Sequence, residues 1–204
     1  MLEEALEYPA RGDWKGRTIR GGLLVYGIPL LVPVVCLAGY TAKIFRQSGH
    51  DDEEPPAFDD WPGLFRHGLP VLAVWVGFAV VPWLALWVAV STGLIGGTDT
   101  VDVAVGVLAG VGALVLTYLA PAISAAVATA DSTGTTGALR MIVAVGTSLD
   151  YLLASLSVLV VWFTAFAVGI MLLVTVFGVL AWPAVLFLAL VVSTRRYAHA
   201  YAAG

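Results

Sequence analysis

The sequence predicts an all-α integral membrane protein: four transmembrane helices plus an N-terminal re-entrant or kinked hydrophobic hairpin, with short interfacial helices beside them. Two observations predict it. The chain has a mean hydropathy of +0.93, with 60% hydrophobic and only 12% charged residues. Soluble domains carry roughly a quarter charged residues. The charges are also bunched, so that no Asp, Glu, Lys, Arg or His occurs in 21–42, 68–98, 103–130 or 151–194. Each gap reaches the ~20 residues that cross about 30 Å of hydrocarbon. The whole chain, 1–204, is one membrane domain.

Residues 1–20 form a cytoplasmic interfacial segment, in which Leu2, Ala5 and Leu6 share one helix face. The first apolar run, 21–42, is long enough for one crossing, but Pro29 and Pro33 each remove a backbone donor and tend to break a helix. Basic residues collect on the cytoplasmic side of membranes. Five full spans would divide the ten basic residues four (Arg11, Lys15, Arg17, Arg20) to six. A run that dips in and returns puts all ten on one side, together with both termini. That favours four spans and the hairpin, with a proline-kinked crossing as the alternative.

An acidic loop and an interfacial helix follow over 43–68, then spans over 69–91 and 103–128. A cytoplasmic connection, 131–150, leads to the last run. There Leu139, Ile142, Val143 and Leu149 suit an interfacial helix with Arg140 toward the headgroups. The 44 uncharged residues of 151–194 would make a helix of about 66 Å, so this run folds back once, near 169–178. That gives spans over 151–171 and 175–195, with Asp150 expected to cap the first of them.

The stretch HDDEEPPAFDDWPGLF (50–65) is the least membrane-like part of the chain. As a metal site it lacks the alternating Asp spacing, central Gly and terminal Glu of a calcium loop. It lacks a two-histidine zinc pattern as well. It reads better as a helix start. Asp59 or Asp60 caps exposed N–H groups, and Pro62 falls in the first turn, where a missing donor costs little. Trp61, Leu64, Phe65 and Leu69 recur at helical spacing, with Trp61 in the interfacial aromatic belt. Phe58, Asp59, Asp60, Trp61, Leu64 and Phe65 are therefore the candidate docking motif.

GYTAKIFRQ (39–47) followed by PPAFDDWPGLFRHGL (55–69) resembles the prokaryotic membrane family called domain of unknown function 4013. YLAPAISAAVATADSTGTTGAL (118–139) and RRYAHAYA (195–202) look similar too, so the resemblance covers nearly the whole chain. It implies a multi-pass architecture in a mainly archaeal and bacterial family, and no known activity. The chain departs from that pattern at Pro62, where a glycine usually follows the tryptophan. It also has little basic charge over 138–148.

No charged residue lies within the apolar runs of the spans, so a proton relay or carboxylate ion path has no residues to use. Ser124, Ser155, Ser157, Thr164 and Thr175 suit bonds to nearby backbone, or the lining of a path. Gly106 and Gly110 have the small-x-x-x-small spacing of closely packed helices. The chain lacks Gly-x-Ser-x-Gly, Walker and dinucleotide motifs, and its single cysteine, Cys36, forms no Cys-x-x-Cys pair. The expectation is a non-enzymatic structural or partner-docking component with no cofactor and no metal. A small-solute transporter or channel component is the alternative. The expected surroundings are the lipid bilayer of the plasma membrane and a protein partner or second copy. The net charge of −4 argues against nucleic acid. The acidic, lysine-poor loops suit a salt-adapted, archaeal-like source.

Overall fold

The computed structural model describes residues 2–47, 54–97, 99–129 and 142–202. Among them the chain forms helices, turns and loops, with no strand. A short helix α1 (Leu2–Glu7) runs into a tight turn at Tyr8–Ala10. Helix α2 (Trp14–Tyr26) begins at Asp13, whose carboxylate accepts from the Gly16 amide at 3.2 Å. It stops at Gly27, and after a turn at Ile28–Leu30 helix α3 (Val32–Gln47) begins.

Contacts along the last helix fix the direction of α2 and α3. That helix, α7 (Val176–Ala202), meets Gly21 with Phe187, Gly22 with Ala184 and Tyr26 with Val179, so α2 runs antiparallel to it. Tyr40 of α3 lies against Phe187, while Ala42 and Phe45 share a cluster with Ala198, so α3 runs the same way as α7. The two helices therefore form a hairpin with its tip at 27–31, beside Val179. At 13 and 16 residues they are about 20 and 24 Å long, each shorter than the hydrocarbon layer. Leu31 at the tip has φ +50°, a region that β- and γ-branched side chains seldom enter.

Four helices are long and apolar enough to cross a membrane: α4 (Trp61–Ser91), α5 (Thr100–Ala128), α6 (Leu149–Leu173) and α7, from Gly178 onward. Helix α4 starts at Trp61, after Asp60 as expected, and the polar turn containing Arg66 and His67 joins the expected interfacial helix to the 69–91 span without a break. Between Trp75 and Val80 it widens to a π-helical stretch, and Val81 N–H reaches back to Val76. Pro82 follows directly. Its ring would crowd the carbonyl four residues earlier, and the wider turn relieves that. Ser148 caps α6 by accepting from the Tyr151 amide, so Asp150 lies in the first turn and does not supply the cap. The α6–α7 turn falls at Val174–Thr175, where Thr175 accepts from the Gly178 amide at 2.9 Å. Residues 131–141, including Leu139 and Arg140, lie outside the described residues. Of the rest of that connection, Val143 is exposed and Val145 is fully buried.

Two of the long helices are interrupted by proline and repaired by tyrosine. Pro183 leaves the Val179 carbonyl without its amide, and the Tyr26 hydroxyl donates to that carbonyl. One residue past Pro121, the Tyr151 hydroxyl accepts from the Ala122 amide (3.2 Å) and donates to the Tyr118 carbonyl (2.7 Å). A side chain inserted in the backbone ladder is a recognised cause of a kink. Within a membrane, such borrowed partners are what make proline tolerable.

Packing is concentrated at one end. Tyr8, Leu37, Tyr40, Ile44, Phe58, Leu64, Phe187 and Val191 form one buried cluster there. The Tyr151 ring meets Tyr118 edge-to-face and Tyr197 at a tilt, with centroids 5.0 and 5.4 Å apart. Helices α3 and α4 cross so closely that a Cβ on Gly39 would run into the Leu64 carbonyl oxygen, and one on Gly68 into that of Val35. Toward the opposite end α6 and α7 stay in contact, Gly169 against Trp182, while α4 and α5 are largely exposed. Only 11% of the most apolar window of α4, and of α5, is buried.

Candidate functional site at the Phe58–Phe65 motif

The motif divides into a buried half and an exposed half. Phe58 is 3% exposed and stacks on Tyr40, with centroids 4.5 Å apart and rings 12° from parallel. It also meets Trp61 and Phe187, each at 5.9 Å. Leu64 is fully buried in the same cluster. Asp60 caps α4, accepting from the Gly63 amide at 2.9 Å, and Pro62 occupies the first turn. Of the two candidate caps, Asp60 is the one in use.

Asp59 turns outward, and its carboxylate meets the Lys43 ammonium at 3.5 Å. Hydrogen bonding from the local backbone, then the Lys43 charge, hold this carboxyl below its ordinary value. Trp61 (44% exposed) and Phe65 (41%) lie one turn apart, and Leu69 continues the stripe. Arg66 beside them is exposed as well. The outward surface thus combines an aromatic ridge with one carboxylate–ammonium pair, anchored from behind by Phe58 and Leu64.

The sequence did not single out the residues that surround the motif. Tyr8 and Tyr40 come from elements far apart in the chain. The Arg195 guanidinium lies over the Tyr8 ring, 4.5 Å from its centroid. Arg17 is buried and donates to the Arg11 carbonyl at 3.0 Å. Arg46 donates to the Ala128 carbonyl at 2.6 Å, placing a cation at the negative end of α5. Arg196 donates to Ser157. The signal for them in the sequence was that Tyr40, Arg46, Arg195 and Arg196 fall within the segments carrying the family resemblance.

Other candidates are placed separately. Ser124, Ser155, Ser157 and Thr175 each donate to a carbonyl of the same segment, three or four residues back. Thr164 lines an apolar groove of about 360 Å³ between the Tyr8–Ala10 turn, Trp14 and helices α6 and α7. A second groove, of about 260 Å³, lies between α3, α4, Trp162 and Leu190. Gly106 faces Ile95, and a methyl group on Gly110 would have no neighbour within 4 Å. Among the described residues no three His, Cys, Asp or Glu side chains gather as a metal site would require. His50 and the acids 51–53 lie outside the described residues.

Neither the curated proteins nor the solved structures contain a significant match to the chain. Residues 22–180 match the family described as "Protein of unknown function (DUF4013)", well over half of the chain, and the chain belongs to that family.

Proposed function

We propose that the protein is a non-enzymatic, multi-pass component of the plasma membrane that docks a protein partner at the Asp59–Trp61–Phe65 surface. In this reading α4 to α7 cross the bilayer, and α2 and α3 enter it and return. Every basic residue among those described comes from the packed end or its flanking segments, which supports a cytoplasmic placement of that end under the positive-inside rule. The observation that carries the docking reading is the division of the motif. Phe58, Asp60 and Leu64 hold the turn rigid, and that leaves Trp61 and Phe65 pre-placed on an exposed ridge. Rigid aromatic side chains beside a polar pair are typical anchors of interfaces.

The test is an affinity pull-down from native membranes in mild detergent. Wild type is compared with a Trp61→Ala/Phe65→Ala variant, which leaves the buried half intact. A stoichiometric partner captured by wild type and lost by the monodisperse variant supports docking. A partner retained by the variant removes the motif from the interface, and an empty wild-type pull-down defeats the reading.

The transporter or channel reading rests on a different observation: the hairpin tip lies beside a span interrupted by Pro183. Interrupted helices next to hairpins are a recurring way to build solute sites. Solute flux into liposomes holding only the purified protein would support it, and tight liposomes across ions and small polar solutes would exclude it.

A further inference from the structure

Among the described residues, none fills the groove of about 360 Å³ between the Tyr8–Ala10 turn, α2, α6 and α7. Its walls are apolar. Leu6, Pro9 and Trp14 form one side, and Val161, Val168 and Val192 contribute to the other. The groove lies against two of the helices long enough to cross a membrane, so in a bilayer it opens onto acyl chains.

Its lower end is cationic. Val192 on the wall is followed at helical spacing by Arg195 and Arg196, which brings both guanidiniums one turn below the apolar floor. Arg195 is only 5% exposed and stacks on Tyr8, next to Pro9 of the groove wall. Its Nη1 is buried and has no hydrogen-bond partner among the described residues. Arg196 reaches Ser157, one turn below Val161. At the rim Lys15 is exposed, with its ammonium 5.7 Å from the Trp14 ring. The acidic groups of the adjoining N-terminal segment are Glu3, Glu4 and Glu7 of α1, and Asp13. Among the described residues none of these acids forms an ion pair with Lys15 or Arg195.

An apolar slot that ends in three cations, one of them buried and under-bonded, matches a molecule with a hydrocarbon tail and an anionic head. We infer that the groove holds one acyl chain of an anionic phospholipid from the basic-side leaflet, with its phosphate between Lys15, Arg195 and Arg196. A zwitterionic lipid brings its own cation to that corner and fits less well. A second protein copy would need a carboxylate-bearing apolar helix, and α4 to α7 offer no acid within their apolar stretches. The inference rests on the reading that α6 and α7 cross the bilayer, but not on partner docking.

Native mass spectrometry of the full chain, released from mild detergent after incubation with phosphatidylglycerol or phosphatidylcholine of identical chains, tests it. Wild type is expected to retain one phosphatidylglycerol, with at least ten-fold preference over phosphatidylcholine. Thr164→Trp adds a side chain at an exposed groove position and should abolish retention of both lipids. Lys15→Gln and Arg196→Gln should each lower the preference roughly five-fold, the effect of one basic residue near an anionic surface, while the chain still binds. Equal retention of both lipids would overturn the proposal. So would displacement of the lipid by free glycerol phosphate, which would mark a soluble-anion site, or full retention by Thr164→Trp. A dimer that Thr164→Trp converts to monomer, with no lipid bound, would assign the groove to a second copy. If the protein proves extractable from membranes without detergent, the spanning reading fails instead.

Discussion

The Tyr26 hydroxyl donates to the carbonyl of Val179, the acceptor that Pro183 strips of its amide four residues later. One side chain from the hairpin therefore repairs a break in a long helix and fixes the depth of the hairpin tip against it. Removing that hydroxyl with Tyr26→Phe is expected to cost about 1–3 kcal/mol, the penalty for an unsatisfied polar group. Pro183→Ala restores the amide and should make the Tyr26→Phe change much milder. Thermal unfolding of both single variants and the double variant in one detergent measures the coupling.

Tyr151→Phe is the more damaging of the two tyrosine changes. Its hydroxyl serves two groups at once, the Ala122 amide and the Tyr118 carbonyl, and it is buried. A larger fall in unfolding midpoint than for Tyr26→Phe is the expected outcome. An equal or smaller fall would mean that the α5 ladder closes by itself once the hydroxyl is gone.

Gly39→Ala and Gly68→Ala should each destabilise by at least about 1–3 kcal/mol, the usual penalty for overpacking. Each new methyl would meet a backbone carbonyl that cannot swing aside. Gly110→Ala meets nothing within 4 Å and gains helix propensity, so it should be neutral or stabilising by up to about 1 kcal/mol. Denaturation midpoints of the three variants, measured side by side, check the contrast. A destabilising Gly110→Ala would point to a neighbour outside the chain.

Within the motif, Phe58→Ala is expected to cost about 3–5 kcal/mol, as truncation of a buried aromatic does. Asp60→Ala should cost about 0.5–2 kcal/mol through its lost cap. Trp61→Ala should change stability little. If the order is reversed, with Trp61 dominating, the ridge is part of the fold and not an accessible surface.

Accessibility labelling checks the topology. Cysteines introduced at Ser48 and Ala202 should react with an impermeant reagent from the same side of intact cells, and one at Gly93 from the opposite side. Labelling of Ser48 from the Gly93 side would require α2 and α3 to cross together as a single kinked span.

The long helices were legible because hydrocarbon imposes a one-dimensional rule: uncharged residues in sufficient number. That rule also bracketed the α6–α7 turn, which falls at Val174–Thr175. The start of α4 was legible in Asp60 and Pro62, but composition did not show that Arg66 and His67 leave the interfacial helix and the span continuous. Capping chemistry was local enough to read at Asp60. At α6 the nearer hydroxyl of Ser148 took the role expected of Asp150. Partners distant in sequence left no such trace. Nothing in the spacing of glycines says that Gly39 opposes Leu64, or that Tyr8, Tyr40, Phe58 and Phe187 meet. The groove beside Trp14 was invisible for the same reason, being a gap between three segments.

Uneven burial gives the two ends of the molecule different sources of order. Near Tyr8, Tyr40 and Tyr151 the chain supplies its own cohesion, whereas the far halves of α4 and α5 touch little besides each other. Those far halves will follow the bilayer that surrounds them, tilting as its thickness changes while the tyrosine-rich end keeps its shape. The protein is thus hinged by its own packing gradient, rigid where it faces the basic side and compliant where it faces away.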